Sequence, residues 1–235
     1  MEFMDEKENK LTFSVEISES LANAIRRYVN EVPALAIEDV EIIKNDSPLY
    51  DETVAHRIGL IPLKTEKVKE GDVVQFKLAV SKAGPVYSGE LKGNAEVAYG
   101  KIPITIIQED QEMEILASAR LGKGKEHAKF TPGVIFYRNM KEIKTGNRGS
   151  DVSRILSSCP NKCGNKKKDY ENNKTYELDV CDACEDELSQ IKVEMTESPE
   201  LVVTIESFGQ LPIKEIFLGS IKEMKKDLVE VSKKL

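Results

Sequence analysis

Residues 217–235 read FLGSIKEMKKDLVEVSKKL, and Phe217, Ile221, Met224, Leu228, Val231 and Leu235 follow one another at spacings of four, three, four, three and four. The alternation of four and three, as in a heptad, keeps these side chains on one face of a helix, while Lys, Glu and Asp fill most other positions. A seam of this kind needs a neighbour along its length. That neighbour is another helix, of this chain or of a partner, or the chain's own sheet.

Working outward, Ile191, Val193 and Met195, then Leu201, Val203 and Ile205, alternate with other residues and predict two strands about a turn at Ser198-Pro199. Near the start, Leu11, Phe13, Val15 and Ile17 show the same period of two, as a half-buried strand does. Ser18 or Ser20 caps the helix that follows, in which Leu21, Ala24, Ile25, Tyr28 and Val29 form an apolar stripe closed by Pro33. Residues 34–44 predict another strand. Its phase changes between Leu35/Ile37 and Val40/Ile42, which requires a bulge near Asp39.

In the middle, Asp51 is placed to cap a short helix carrying Val54 and Ile58, with Gly59 ending it and Pro62 just beyond. Alternating runs at 74–80, 102–106 and 113–117 predict a mostly β region, and 121–133 a loop. At 235 residues, 40% hydrophobic and 32% charged, the chain has material for one large or two modest domains. Its formal charge of −7 argues against general binding to phosphate backbones, so no dominant DNA contact is expected. No run approaches the ~18 apolar residues of a membrane span, and Met1–Lys10 is too charged for a leader, which predicts a cytoplasmic protein without membrane attachment.

The four cysteines form two close pairs, Cys159/Cys163 and Cys181/Cys184, around a loop containing Lys166, Lys167 and Lys168. Four thiolates make one tetrahedral site, suited to a zinc ion or one iron–sulfur cluster. Disulfides, which would leave no cofactor, and unlinked thiols are the other readings. The spacing lacks the Cys-x-x-Cys-x-x-Cys run of bacterial ferredoxins, and Cys159-Pro160 reproduces only the end of that signature.

Three segments together carry a family resemblance: Ser20-Leu-Ala-Asn-Ala-Ile-Arg-Arg27 followed by Val32-Pro33, Ala55-His-Arg-Ile-Gly-Leu-Ile-Pro-Leu63, and Gly122-Lys-Gly-Lys-Glu-His-Ala-Lys-Phe130. In order and spacing they resemble the D subunit family of archaeal RNA polymerase, relatives of the third-largest eukaryotic polymerase II subunit and of bacterial alpha. The resemblance implies an α+β fold. A discontinuous dimerisation domain of sheet plus two helices, 1–43 with 191–235, would enclose a mostly β insert at 44–190, itself containing a cysteine-bearing, ferredoxin-like or metal-stapled segment at 151–190. It further implies a non-catalytic assembly subunit that pairs with the small alpha-like L subunit and contacts the second-largest catalytic subunit and small polymerase subunits.

On that resemblance Leu21, Ile25, Tyr28, Phe217, Ile221, Met224 and Leu228 are candidates for core and partner interface, and Arg26, Arg27, His56 and Arg57 for partner contacts. The seam then has a partner helix to face. The glycine-lysine loop lacks the phosphate-loop spacing, and the two histidines have no neighbouring nucleophile or ligand pattern, so no catalytic residue is expected. Rival readings from the cysteines are an iron–sulfur electron carrier and a zinc-stapled nucleic-acid-binding factor. The first leaves the arginine helix, residues 56–63 and the terminal seam unexplained. The second sits poorly with the net charge and with the lack of a basic recognition helix.

Overall fold

In the computed structural model, which describes residues 2–66, 68–69, 71–161, 163 and 170–234, the first elements are β1 (Glu2–Lys7), β2 (Lys10–Glu16), α1 (Glu19–Tyr28), β3 (Ala34–Asn45) and α2 (Asp51–Gly59). There follow β4 (Val74–Val80), β5 (Gly84–Tyr87), β6 (Lys92–Gly93), β7 (Pro103–Ile107), β8 (Met113–Gly122) and β9 (Gly133–Lys144). The chain ends with α3 (Gly149–Ser158), β10 (Thr175–Leu178), α4 (Asp182–Gln190), β11 (Glu194–Ser207) and α5 (Ile213–Lys234). The fold is α+β, as expected. Leu235 and Lys166–Lys168, both used in the sequence reading, lie outside the described residues.

One compact unit comprises Met1–Glu6, Leu11–Ala22 and Phe136–Thr204. Most of a five-stranded sheet, ordered β1-β2-β11-β9-β10, belongs to it. Leu11 and Phe13 are buried on β2 as alternation predicts, but Thr12 and Ser14 are buried too. The Thr12 and Thr204 hydroxyls pair at 3.2 Å, which makes burial of that polar face affordable. A separate core of Ile143, Val152, Leu156, Leu178 and Leu188 lies around α3 and α4.

The other unit comprises Lys7–Lys10, Asn23–Ile135 and Ile205–Leu235. Its four-stranded sheet, β3-β8-β4-β6, pairs antiparallel and presents Leu35, Ile37, Phe76, Leu78 and Ile115 to a core closed by Val54 and Ile58 of α2. The bulge expected near Asp39 is present as a register shift between Ile37 and Asp39, and a second shift follows between Ile42 and Lys44. These offsets explain the change of apolar phase along β3, because one extra residue turns the side chains to the other face.

Several local expectations are corrected. Residues 194–207 form one strand through Ser198-Pro199 rather than two about a turn. The Ser198 hydroxyl accepts the Glu200 N–H at 3.0 Å, so the turn-like hydrogen bond exists inside an otherwise continuous strand. Tyr50, without a side-chain bond, occupies the N-cap of α2; Asp51 stands in the first turn, where its charge favours the helix dipole. Gly59 ends α2 as a helical residue, and the stop comes from the Leu60 N–H folding back onto Arg57 and Ile58. The region 121–133 is mostly loop but starts with the end of β8 and holds a 3-10 turn at Ala128–Phe130.

Candidate functional site

Two features carry chemistry or recognition: the faces of α1 and α5, and the cysteine cluster. Ser18 starts α1, its hydroxyl accepting the Leu21 N–H at 3.3 Å. The buried residues are Ala22 and Ile25 on the helix and Val29 after it, whereas Leu21 is 40% exposed and Tyr28 half-buried. Ile25 and Val29 of the expected stripe are thus buried, Ala24 and Tyr28 lie at its edge, and Ala22 takes the inward place expected of Leu21. The Arg26 guanidinium donates to Asn23 Oδ1 at 2.9 and 3.1 Å and remains at the surface, as does Arg27.

On α5 the inward residues are Ile213, Ile216 and Ser220, a face adjoining the expected seam. Phe217, Ile221 and Met224 are half-buried, and Leu228 and Val231 are 60% and 56% exposed. The seam thus begins on the chain's own unit and runs out into solvent. Tyr28 Oη donates to Asp227 Oδ2 at 3.0 Å, tying α1 to α5, and this bond raises the tyrosine pKa.

The glycine-lysine loop is a clasp. Lys123 bridges Glu31 at 3.2 Å and Glu223 at 3.7 Å, and Lys129 meets Glu38 at 2.8 Å. Arg120 and Lys129 both lie over the Phe130 ring, about 5 Å from its centre. A Cβ on Gly122 would stand 2.7 Å from that ring, so only glycine allows the packing. Its cations are engaged internally, consistent with the absence of a phosphate-loop spacing.

Arg57 Nη1 donates to the Ile104 carbonyl at 2.7 Å, which gives this residue a structural task inside the unit. Exposed His56 and His127, the chain's two histidines, line one groove of about 300 Å³ with Glu38, Asp39 and Lys129. His127 Nδ1 accepts the Lys129 N–H at 3.1 Å.

All four cysteines are free, and their sulfurs lie within 4.8 Å of one another. Cys159 directly follows α3, Cys181 caps α4 and Cys184 sits in its first turn, so the ends of two helices bring the pairs together. Cys159, Cys163 and Cys184 are buried and Cys181 is partly exposed. Cys159 Sγ and Cys181 Sγ are 3.7 Å apart, and the Cys181 N–H donates to Cys163 Sγ at 3.0 Å.

Burial opposes charge on every thiol. At Cys181 the Cys184 N–H and the Cys163 thiol overcome it, lowering the pKa to about 6; at Cys163 burial prevails and pushes it up to about 12. Burial likewise raises Cys184, while Cys159 is lowered despite burial by the Cys163 N–H and the Cys184 thiol. A cluster with acidic and proton-holding thiols suits a cation that displaces the remaining protons. Among the described residues it is the only such grouping of potential metal ligands.

Sequence reasoning missed α3, α4 and the pair formed by Arg138 and Asp179, joined by two bonds of 2.6 and 2.7 Å. Arg138 lies close enough to Cys163 and Cys181 to feel their charge. The acidic start of α4, Cys181-Asp182-Ala183-Cys184-Glu185, was a legible helix-start signal.

Comparison with known proteins gives a consistent result. Residues 40–136 match the model of the RNA polymerase Rpb3/RpoA insert domain. The chain is 30% identical to the DNA-directed RNA polymerase subunit Rpo3 of Archaeoglobus fulgidus, over 99% of this chain and 96% of the relative. Its counterpart in Natronomonas pharaonis is 32% identical, over 94% and 92%. That of Thermococcus kodakarensis is 42% identical over a shorter alignment, so the match spans about half of that relative, 52% of each chain. Among the described residues no helix is long and apolar enough to cross a membrane.

Proposed function

The chain belongs to the DNA-directed RNA polymerase subunit Rpo3 family, and from that we propose that it is a non-catalytic assembly subunit, the one also called the D subunit, on which the large catalytic subunits of RNA polymerase are mounted. Its immediate partner in this reading is the small alpha-like L subunit. The second-largest catalytic subunit and small polymerase subunits would dock later, in the cytoplasm, with Arg26, Arg27 and His56 among the contacts. The dimerisation domain would be 1–43 with 191–235, and 44–190 the insert.

The observation that carries the pairing is the second half of α5. From Lys225 to Lys234 every residue is exposed, Leu228, Val229 and Val231 included. An isolated helical segment of about ten residues is marginal in water, so a helix extending this far from its core is best explained by a partner that covers it. Leu228 and Val231, with Phe217, Ile221 and Met224 behind them, supply an apolar strip suited to an obligate interface. Leu21, Ile25 and Tyr28 are the α1 contribution.

The cysteine cluster is read as a metal staple, of zinc or an iron–sulfur cluster, that reinforces the small core around α3 and α4. An electron carrier or a nucleic-acid-binding factor is not favoured, since neither accounts for the family membership or the α5 strip. Co-expression with the L subunit tests the pairing. A one-to-one complex that survives gel filtration is expected, and a chain that elutes alone as a stable monomer at micromolar concentration refutes it.

A further inference from the structure

We infer that the four cysteines form a cage for one tetrahedral ion, zinc, and not for an iron–sulfur cluster. This rests on the reading of the cluster as a metal centre and goes beyond it by fixing the occupant from the size of the sulfur set. Four sulfurs bound to one zinc at about 2.3 Å stand about 3.8 Å apart, because their directions diverge at the tetrahedral angle. Cys159 Sγ and Cys181 Sγ are 3.7 Å apart, and no pair in the set exceeds 4.8 Å.

A four-iron cluster binds one cysteine to each iron. The sulfur tetrahedron must then enclose four irons and their bridging sulfides, with a further Fe–S bond at every corner. A set with all edges within 4.8 Å leaves no such volume. A two-iron cluster fares no better, because it holds its cysteines in pairs at the two ends of an iron–iron axis, which lengthens every edge between the pairs. A tetrahedral all-sulfur site too small for a cluster takes a single ion, and zinc is the ion that structural four-cysteine sites of this kind hold.

The surroundings suit that occupant. The Cys181 N–H bonded to Cys163 Sγ stabilises a ligand thiolate, and the N-terminus of α4 lies behind Cys181 and Cys184. Zinc with four thiolates carries two net negative charges. Arg138, held in place by both carboxylate oxygens of Asp179, offsets part of that charge.

The test uses the full chain co-expressed with its small partner in medium containing both iron and zinc, purified anaerobically without chelator. Elemental analysis, acid-labile sulfide and zinc X-ray absorption are measured on the same sample. One zinc per chain, a single shell of four sulfurs and no labile sulfide are expected. Iron in place of zinc, with or without labile sulfide, overturns the inference while leaving the metal centre standing; a metal-free chain with four reactive thiols overturns both.

Because loss of a ligand can unfold the segment as well as empty the site, cobalt substitution of the intact chain supplies a second readout. The intense visible bands of tetrahedral cobalt in a four-thiolate field are expected, and weak octahedral bands would sink the assignment. Cys184→Ser should shift the cobalt spectrum or reduce bound zinc at least tenfold. Unchanged zinc content together with an unchanged cobalt spectrum in that variant counts against the cage.

Discussion

Glu38 accepts bonds from Lys129 and Arg120, at 2.8 and 3.2 Å. Lys129, ahead of the opposing effect of burial, holds its carboxyl below the ordinary range, and Arg120 adds to this. A carboxylate lowered on folding contributes stability that is present above its unfolded pKa and lost as pH falls through the folded value. The group is about one-third exposed, so the contribution is discounted to about 1 kcal/mol or less. Glu38→Gln should therefore lower the melting temperature at neutral pH and leave little difference in strong acid, as read by thermal denaturation across pH. Equal destabilisation at every pH would show that the charge is irrelevant.

Arg138 makes a second residue-scale case. Arg138→Gln removes a positive charge beside Cys163 and Cys181 and frees Asp179, a carboxylate two residues from Cys181 of the proposed metal site. Faster loss of bound metal to a chelator is the expected outcome, with Arg138→Lys intermediate because lysine keeps the charge but not the two-pronged bond to Asp179. Identical release rates in all three proteins would remove Arg138 from the centre.

At the scale of the element, α5 has two faces with different fates. Ile216, on the face beside the heptad seam, is 0% exposed, and Leu228, within the seam, is 60% exposed. Ile216→Ala should cost the chain alone about 2–5 kcal/mol in denaturant unfolding. Leu228→Ala should leave that unfolding nearly unchanged and weaken the proposed complex with the L subunit by tenfold or more in titration, the behaviour of an interface anchor. A reversal of these two outcomes would place the partner elsewhere. The heptad spacing was visible in the sequence, yet it did not point to the buried face of Ile213 and Ile216, because a helix periodicity marks apolar faces without saying what covers them.

At the scale of the molecule, the described residues hold two separate buried clusters, one around residues 35–121 and one around 143–193 that includes three of the four cysteines. Two cores, only one of them carrying the proposed metal site, predict unfolding in more than one step. Removal of metal from the full chain should lower the transition of the cysteine-bearing core and leave the other within a few degrees, as followed by calorimetry. A single transition that shifts as a whole would mean the two cores unfold together.

The strands at 11–17, 34–44 and 74–80, the bulge near Asp39 and the terminal helix were legible along the chain, because side-chain periodicity and its phase are local properties. Its motifs also carried the family, and the two cysteine pairs announced a shared site. Tertiary structure decided that α1 turns Ala22 and Ile25 inward and leaves Leu21 half outside, that Arg57 holds a β7 carbonyl, and that the lysines of the 122–130 loop are engaged within the chain. It also decided that a strand runs through Ser198-Pro199. These depend on which groups meet across distances of tens to hundreds of residues, and on the separation of four sulfurs brought together by two helix ends, which no spacing along the chain encodes.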